Sequence, residues 1–163
     1  MYLSRLEVVL LENSELLPVR TLPAWNDLPD LELYMDQVLS LVIRYLGADG
    51  KALTASMGNN YVKMGAVPAP RKKRYGREHL SRLIVICVLK SGLPLGEIQT
   101  LLERGTADSS DEQFYSAFRA RYQAVREELA SLYESSASVP SLLSAALRAQ
   151  AEQQIALKFC ERL

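Results

Sequence analysis

Arg71, Lys72, Lys73, Arg74 and Arg77 place five cations within the seven residues of "RKKRYGR". Guanidinium and ammonium groups at that density neutralise phosphate. Just upstream, "ASMGNNYVKM" carries Ser56, Asn59, Asn60 and Lys63. These are hydrogen-bonding side chains of the kind that read base edges, and an asparagine amide pairs bidentately with adenine. Tyr61 precedes the run, Tyr75 lies within it, and both suit either a phosphate contact or packing beneath the run. The chemistry is that of a duplex DNA site. Its base-reading candidates are Ser56, Asn59, Asn60 and Lys63. Its phosphate candidates are Tyr61, Arg71, Lys72, Lys73, Arg74, Tyr75 and Arg77. A basic run taken alone is more often a solvated face. Its place directly after a helix of groove-reading residues favours nucleic acid.

The overall charge is zero, but it is segregated. Residues 1–50 hold three basic and eight acidic side chains, residues 51–82 eight and one, and residues 83–163 eight and ten. A cationic segment between acidic flanks is the footprint of a polyanion site.

Catalytic chemistry finds no footing. With one histidine, His79, a single chain builds neither a His-rich metal site nor a Ser-His-Asp triad. His79 is expected on the helix surface in a first turn. The carboxylates form no paired motif, and no Gly-rich phosphate loop follows a strand. Of the two cysteines, Cys87 lies in "LIVICVLK" and reads as a buried small hydrophobe. Cys160 is expected to be an idle thiol, with Lys158 and Arg162 placed to lower its pKa. No catalytic residue, metal or cofactor is expected, and no effector is indicated. The longest apolar run, Leu83–Leu89, has seven residues, too few for a membrane span. The first residues lack a basic n-region. A reducing cytoplasm is expected.

The elements that must position these residues are almost all helical. Ser4 and Glu7 have capping-box spacing, which predicts a helix over 4–16. The segment Pro18–Pro29 reads as an arm whose Trp25 covers the core. Residues 30–46 predict a helix with a polar stripe of Glu32, Asp36, Ser40 and Arg44, opposite Leu31, Tyr34, Val38 and Val42. "GADGK" predicts a turn. Thr54 is placed to cap a short polar helix that Gly65 ends, with Met57, Val62 and Met64 packing inward. "VPAPRKKRYG" predicts a loop or hairpin. Residues 77–90 predict an apolar helix stopped by Gly92, and "LPLGEIQTLLE" a short amphipathic one. After a linker, Ser110 and Gln113 have capping-box spacing. Two helices follow, outside the core of the preceding module. One bears Phe114, Phe118, Val125, Leu129 and Leu132. The other opens near Pro140 after the break "SSAS", and bears Leu143, Leu147, Ala151, Ile155 and Phe159 at intervals of four.

Two resemblances follow from these residues. "NNYVKMGAVPAPRKKRYGREHLSRLIVICVLKSGLPLGEIQTLL" resembles the DNA-binding half of MerR-type regulators over residues 54–102. Tyr61 and Gly65 match the end of that family's recognition helix, Lys73 its wing arginine and Tyr75 the tyrosine that follows. Gly92, Leu95, Glu97 and Ile98 match its last element. Gly58 replaces a core leucine, Asn59 an arginine, and the wing is several residues shorter. A more specific match joins "LPAWNDLPDLELYMDQVLSLVIRYL" to "LTASMGNNYVKMGAVPAPRKKRYGREHLSRLIVICVLK". It looks like the bacterial domain-of-unknown-function family 1836, over roughly residues 22–105.

The resemblances imply a nearly all-α fold around a MerR-like winged helix-turn-helix. Residues 1–29 form an arm, 30–105 the winged domain, and 111–163 a helical region for dimerisation. The expected role is transcriptional regulation by a homodimer on double-stranded DNA. The alternative is a helical assembly module that uses the same domain to bind protein, with weak RNA binding as a third course.

Overall fold

Residues 21–133 and 139–162 are described in a computed structural model. The expected helix over 4–16 and the "SSAS" break lie outside them. Among the described residues a 3-10 turn at Trp25–Asp27 precedes seven helices: α1 Met35–Leu46, α2 Ala48–Lys51, α3 Ala55–Lys63, α4 Arg77–Leu89, α5 Leu95–Gly105, α6 Asp111–Tyr133 and α7 Val139–Cys160. The extended segments among them meet only through isolated bridges. None of the described helices is long and apolar enough to cross a membrane.

The apolar run of α4 makes it the axis of the fold. Leu80, Leu83, Ile84, Val85 and Ile86 are each at most 1% exposed. A helix apolar on all sides must be enclosed, and α1, α2, α5 and α6 surround it. Each large side chain so buried stabilises the fold by about 1.5–3 kcal/mol.

Two expectations are corrected here. The first helix starts at Met35 rather than residue 30. Leu33 and Tyr75 exchange both backbone hydrogen bonds, each 2.9 Å, which holds residues before α1 extended. The Tyr34 N–H then donates to Gln37 Oε1 at 2.8 Å, setting the first turn. Leu31 and Tyr34, expected on the apolar side, are exposed. The "GADGK" turn is the short helix α2. Gly47, at φ 59°, lets the chain turn back, and Gly50 lies against the α1 backbone, where a Cβ would come within 2.5 Å of Val42 O.

The first half of α6 belongs to the same core, contrary to expectation. Tyr115 is 1% exposed, and Phe114 and Phe118 pack beside it. Ser110 caps the helix as its spacing predicts: its Oγ accepts from Gln113 N at 3.1 Å, and its N–H donates to Gln113 Oε1 at 3.0 Å. The arm is clamped by α6, because Tyr115 Oη donates to Pro23 O at 2.9 Å and Arg119 Nε to Leu22 O at 2.7 Å. Trp25 packs against the core as predicted.

Candidate nucleic-acid interface

Local sequence fixes both ends of α3. Thr54 Oγ1 accepts from Met57 N at 3.2 Å, an N-cap worth about 1 kcal/mol. Gly65 takes φ 84° just past the end, a conformation that other residues adopt at a cost. Ser56, Asn59, Asn60 and Lys63 are all exposed, as expected. Gly58 is buried because α1 approaches closely: a Cβ there would lie 2.9 Å from Met35 Cε. Met57 and Val62 are half-buried, whereas Met64, expected inward, is 40% exposed.

Tyr61 and Tyr75 are each 5% exposed and belong to the core, which favours packing beneath the hairpin over phosphate contact. Burial pushes both phenols up, helped for Tyr61 by Cys87. Tyr61 supports the surface from beneath, while Tyr75 keeps an edge on the cleft that Asn59 and Lys73 line.

The basic segment is a hairpin. Arg74 N donates to Arg71 O at 2.7 Å, and Lys72 and Lys73 at its tip have φ of 46° and 62°. Positive φ at both central positions defines a type I′ turn, which normally takes Asn-Gly. Two lysines here cost backbone strain. Their side chains are exposed, as is that of Arg71. The Leu33–Tyr75 pairing ties the base of the hairpin to the start of α1.

The cations divide between two clefts. Lys73 shares an open cleft of about 660 Å³ with Asn59, Ala55 and Val62 of α3, and with Tyr34, Met35 and Asp36 near the start of α1. This brings Asn59 of α3 beside Lys73 of the hairpin tip, whereas Ser56, Asn60, Lys63 and Lys72 do not line the cleft. Arg71, Arg74 and Arg77 line a second cleft of about 430 Å³ with Asp30, Glu32 and Glu78. There Arg77 Nε donates to Leu28 O at 2.9 Å and its guanidinium meets Asp30 at 4.0 Å, so Arg77 is partly committed to the fold. The Arg74 guanidinium stacks on the Tyr34 ring, 3.6 Å from its centre.

His79, expected at the surface, is 4% exposed. Its Nδ1 accepts from Gly76 N at 2.9 Å, capping α4, and its ring stands edge-on to Tyr75 at 5.4 Å. Cys87 is buried as expected, and burial pushes its thiol up to about 11. Cys160 also moves up, through burial and then the Glu97 carboxylate, opposite to the expected effect of Lys158 and Arg162.

Tyr34 and the carboxylates Asp30 and Glu32 were missed as site residues. All three fell within an expected helix. The three prolines in the segment before it, ending at Pro29, were the available sign of an extended entry.

The described residues thus make a helical domain that presents a polar helix beside a basic hairpin. The chain belongs to the domain of unknown function family DUF1836, whose model matches residues 23–125. That span runs from the arm through the first half of α6, the part clamped together in the core. No curated protein and no solved structure matches the chain.

Proposed function

We propose that this chain is a DNA-binding transcriptional regulator in which α1, α3 and the hairpin act as a winged helix-turn-helix of MerR-like kind. In this reading α3 enters the major groove. Asn59 and Asn60 read base edges, with Ser56 and Lys63 beside them. Lys72, Lys73, Arg71 and Arg74 meet phosphates along the flank. The buried pair Tyr61 and Tyr75 holds the helix and the wing in place from below.

One observation carries the reading. Asn59 of α3 and Lys73 of the hairpin tip line the same cleft, so a base-reading side chain and a strained cationic turn share one face. A solvated basic loop has no need for two lysines in left-handed backbone.

The test is fluorescence anisotropy on random duplex DNA at rising salt, followed by selection of preferred sequences. Four phosphate contacts give a log–log slope of about −3.6. Asn59→Ala and Asn60→Ala should each cost roughly 1–3 kcal/mol on a selected site and far less on random duplex. Absence of salt-dependent duplex binding overturns the reading and favours the assembly module, which contacts protein alone.

A further inference from the structure

The pairing of Leu33 with Tyr75 sets the register on either side of it. In an antiparallel pair Tyr34 then faces Arg74, and Glu32 faces Gly76. The first match is seen directly, because the Arg74 guanidinium lies over the Tyr34 ring. The second leaves a notch. Glu32 has no side chain opposite it, and a Cβ on Gly76 would come within 2.7 Å of Glu78 Oε2. Both residues line the cleft of about 430 Å³.

This cleft is balanced in charge. Arg71, Arg74 and Arg77 face Asp30, Glu32 and Glu78 across it, so a simple anion or a simple cation meets repulsion as well as attraction. The charges are not used up on one another. Arg77 is taken by Leu28 O and Asp30, and Glu78 Oε1 lies 3.0 Å from His79 Nδ1. Among the described residues the side chains of Arg71 and Glu32 make no ion pair. Glu32 and Arg74 are diagonal neighbours, a spacing of about 7–8 Å that long side chains can bridge, yet Arg74 lies on Tyr34 instead. A guanidinium stacked on a ring keeps its in-plane N–H groups free. His79 adds an unmet donor. It lines the same cleft and is 4% exposed. Its Nδ1 accepts from Gly76 N, which leaves the hydrogen on Nε2, and Nε2 has no partner among the described residues. A buried donor without an acceptor is costly.

We propose that this cleft binds a free α-amino acid with an apolar side chain. The ammonium group pairs with Glu32. The carboxylate takes Arg71 and the free edge of Arg74, with His79 Nε2 the further donor at the floor. The side chain lies against Trp25, Pro29 and Leu31, the last of these 71% exposed at the rim. A small zwitterion answers both free signs at once, whereas inorganic phosphate serves the arginines and is repelled by Glu32. The volume falls within the roughly 300–1,000 Å³ of small-ligand sites. The site does not rest on the DNA reading and is measured without DNA.

Trp25 is the chain's one tryptophan, so its fluorescence reports on this cleft. Titration of the full chain with L-leucine should change that fluorescence with a midpoint on the order of 0.1–1 mM, as a few exposed contacts give. Three probes each remove one part of the ligand. 4-Methylpentanoate lacks the ammonium group, 3-methylbutylamine lacks the carboxylate, and glycine lacks the apolar side chain. Each should bind roughly three- to tenfold more weakly than L-leucine. Glu32→Gln should bring L-leucine down to the level of 4-methylpentanoate. Arg71→Gln should narrow the gap between L-leucine and 3-methylbutylamine. Both residues are exposed, so the fold should stand in both variants. The proposal is overturned if about 10 mM L-leucine gives neither a fluorescence change nor calorimetric heat. It is overturned as well if glycine, 4-methylpentanoate or inorganic phosphate binds as tightly as L-leucine, or if the Glu32→Gln chain still discriminates against 4-methylpentanoate.

Discussion

The guanidinium of Arg74 lies 3.6 Å from the centre of the Tyr34 ring. Tyr34 itself is half exposed, at 49%, and sits where the chain turns from its backbone pairing with Tyr75 into α1. The stack therefore joins the hairpin to the first helix through side chains, as the Leu33–Tyr75 bridge joins them through the backbone. A cation over an exposed ring contributes about 0.5–1 kcal/mol. Tyr34→Ala should weaken duplex binding roughly two- to fivefold on all sequences alike, with the salt slope unchanged because the charge remains. Tyr34→Phe should bind as the parent does. Arg74→Ala should flatten the slope by about 0.9. Anisotropy titrations at several salt concentrations separate the three variants.

The tip of the hairpin sets stability against binding. Lys72 and Lys73 occupy φ of 46° and 62°, and left-handed backbone costs an ordinary residue about 1 kcal/mol. Replacing the pair by Asn-Gly should raise unfolding stability by about 1–2 kcal/mol. If the tip meets two phosphates as proposed, the same change should flatten the salt slope by about 1.8. Urea melts and binding titrations on one double variant read both effects. A stability gain with unaltered binding would take the tip out of the proposed DNA site.

The second cleft sets carboxylates among the arginines. Asp30 and Glu32 line it with Arg71, Arg74 and Arg77. Their charge lowers the local potential that a phosphate would meet. Asp30→Asn with Glu32→Gln should therefore tighten duplex binding, roughly three- to tenfold at low salt. The gain should shrink as salt rises, since exposed charges are screened beyond a Debye length of about 8 Å at physiological salt. Binding that weakens in this variant would mean the carboxylates position the arginines instead of competing with phosphate.

Alkaline conditions test the core. Burial raises the Cys87 thiol from its ordinary value of 9.0 to about 11. The unfolded chain then releases this proton near pH 9 while the folded chain keeps it. Between those values the folded state binds more protons, so stability falls as pH rises. The loss is on the order of 3 kcal/mol at the upper end of that range. Tyr115, pushed up mainly by burial, adds a loss of the same sign at higher pH. Cys87→Ala should flatten the decline between pH 9 and 11 in denaturant melts, at the cost of a small cavity.

What the sequence disclosed and what it hid divide along contact range. The limits of α3 were legible because Thr54 and Gly65 act within a turn of themselves. The exposure of Ser56, Asn59, Asn60 and Lys63 followed from helical period. The pair Ser110 and Gln113 marked α6 for the same local reason. The start of α1 was hidden, because the pairing of Leu33 with Tyr75 spans more than forty residues and overrides a helix-compatible pattern. His79 looked like a first-turn surface residue. It is buried because its Nδ1 caps α4 and its ring meets Tyr75. The division of the cations was hidden too, since it depends on carboxylates arriving from residues 30–32.

Two buried glycines separate backbone contact from side-chain contact. At Gly50 an added Cβ would lie 2.5 Å from Val42 O and 2.8 Å from Ile43 Cα, both backbone atoms that cannot yield without moving α1. At Gly58 the obstacle is Met35 Cε at 2.9 Å, the free end of an unbranched side chain that can swing aside. Gly50→Ala should therefore destabilise the fold by about 1–3 kcal/mol, as overpacking does. Gly58→Ala gains up to about 1 kcal/mol of helix propensity and loses part of it to the displaced Met35, so it should come out neutral to slightly stabilising. Urea melts of the two variants should differ by at least about 1 kcal/mol in this order. Duplex binding by Gly58→Ala should stay at the parental level, because the residue lies beneath α3 and the exposed face that carries Asn59 and Lys63 does not change.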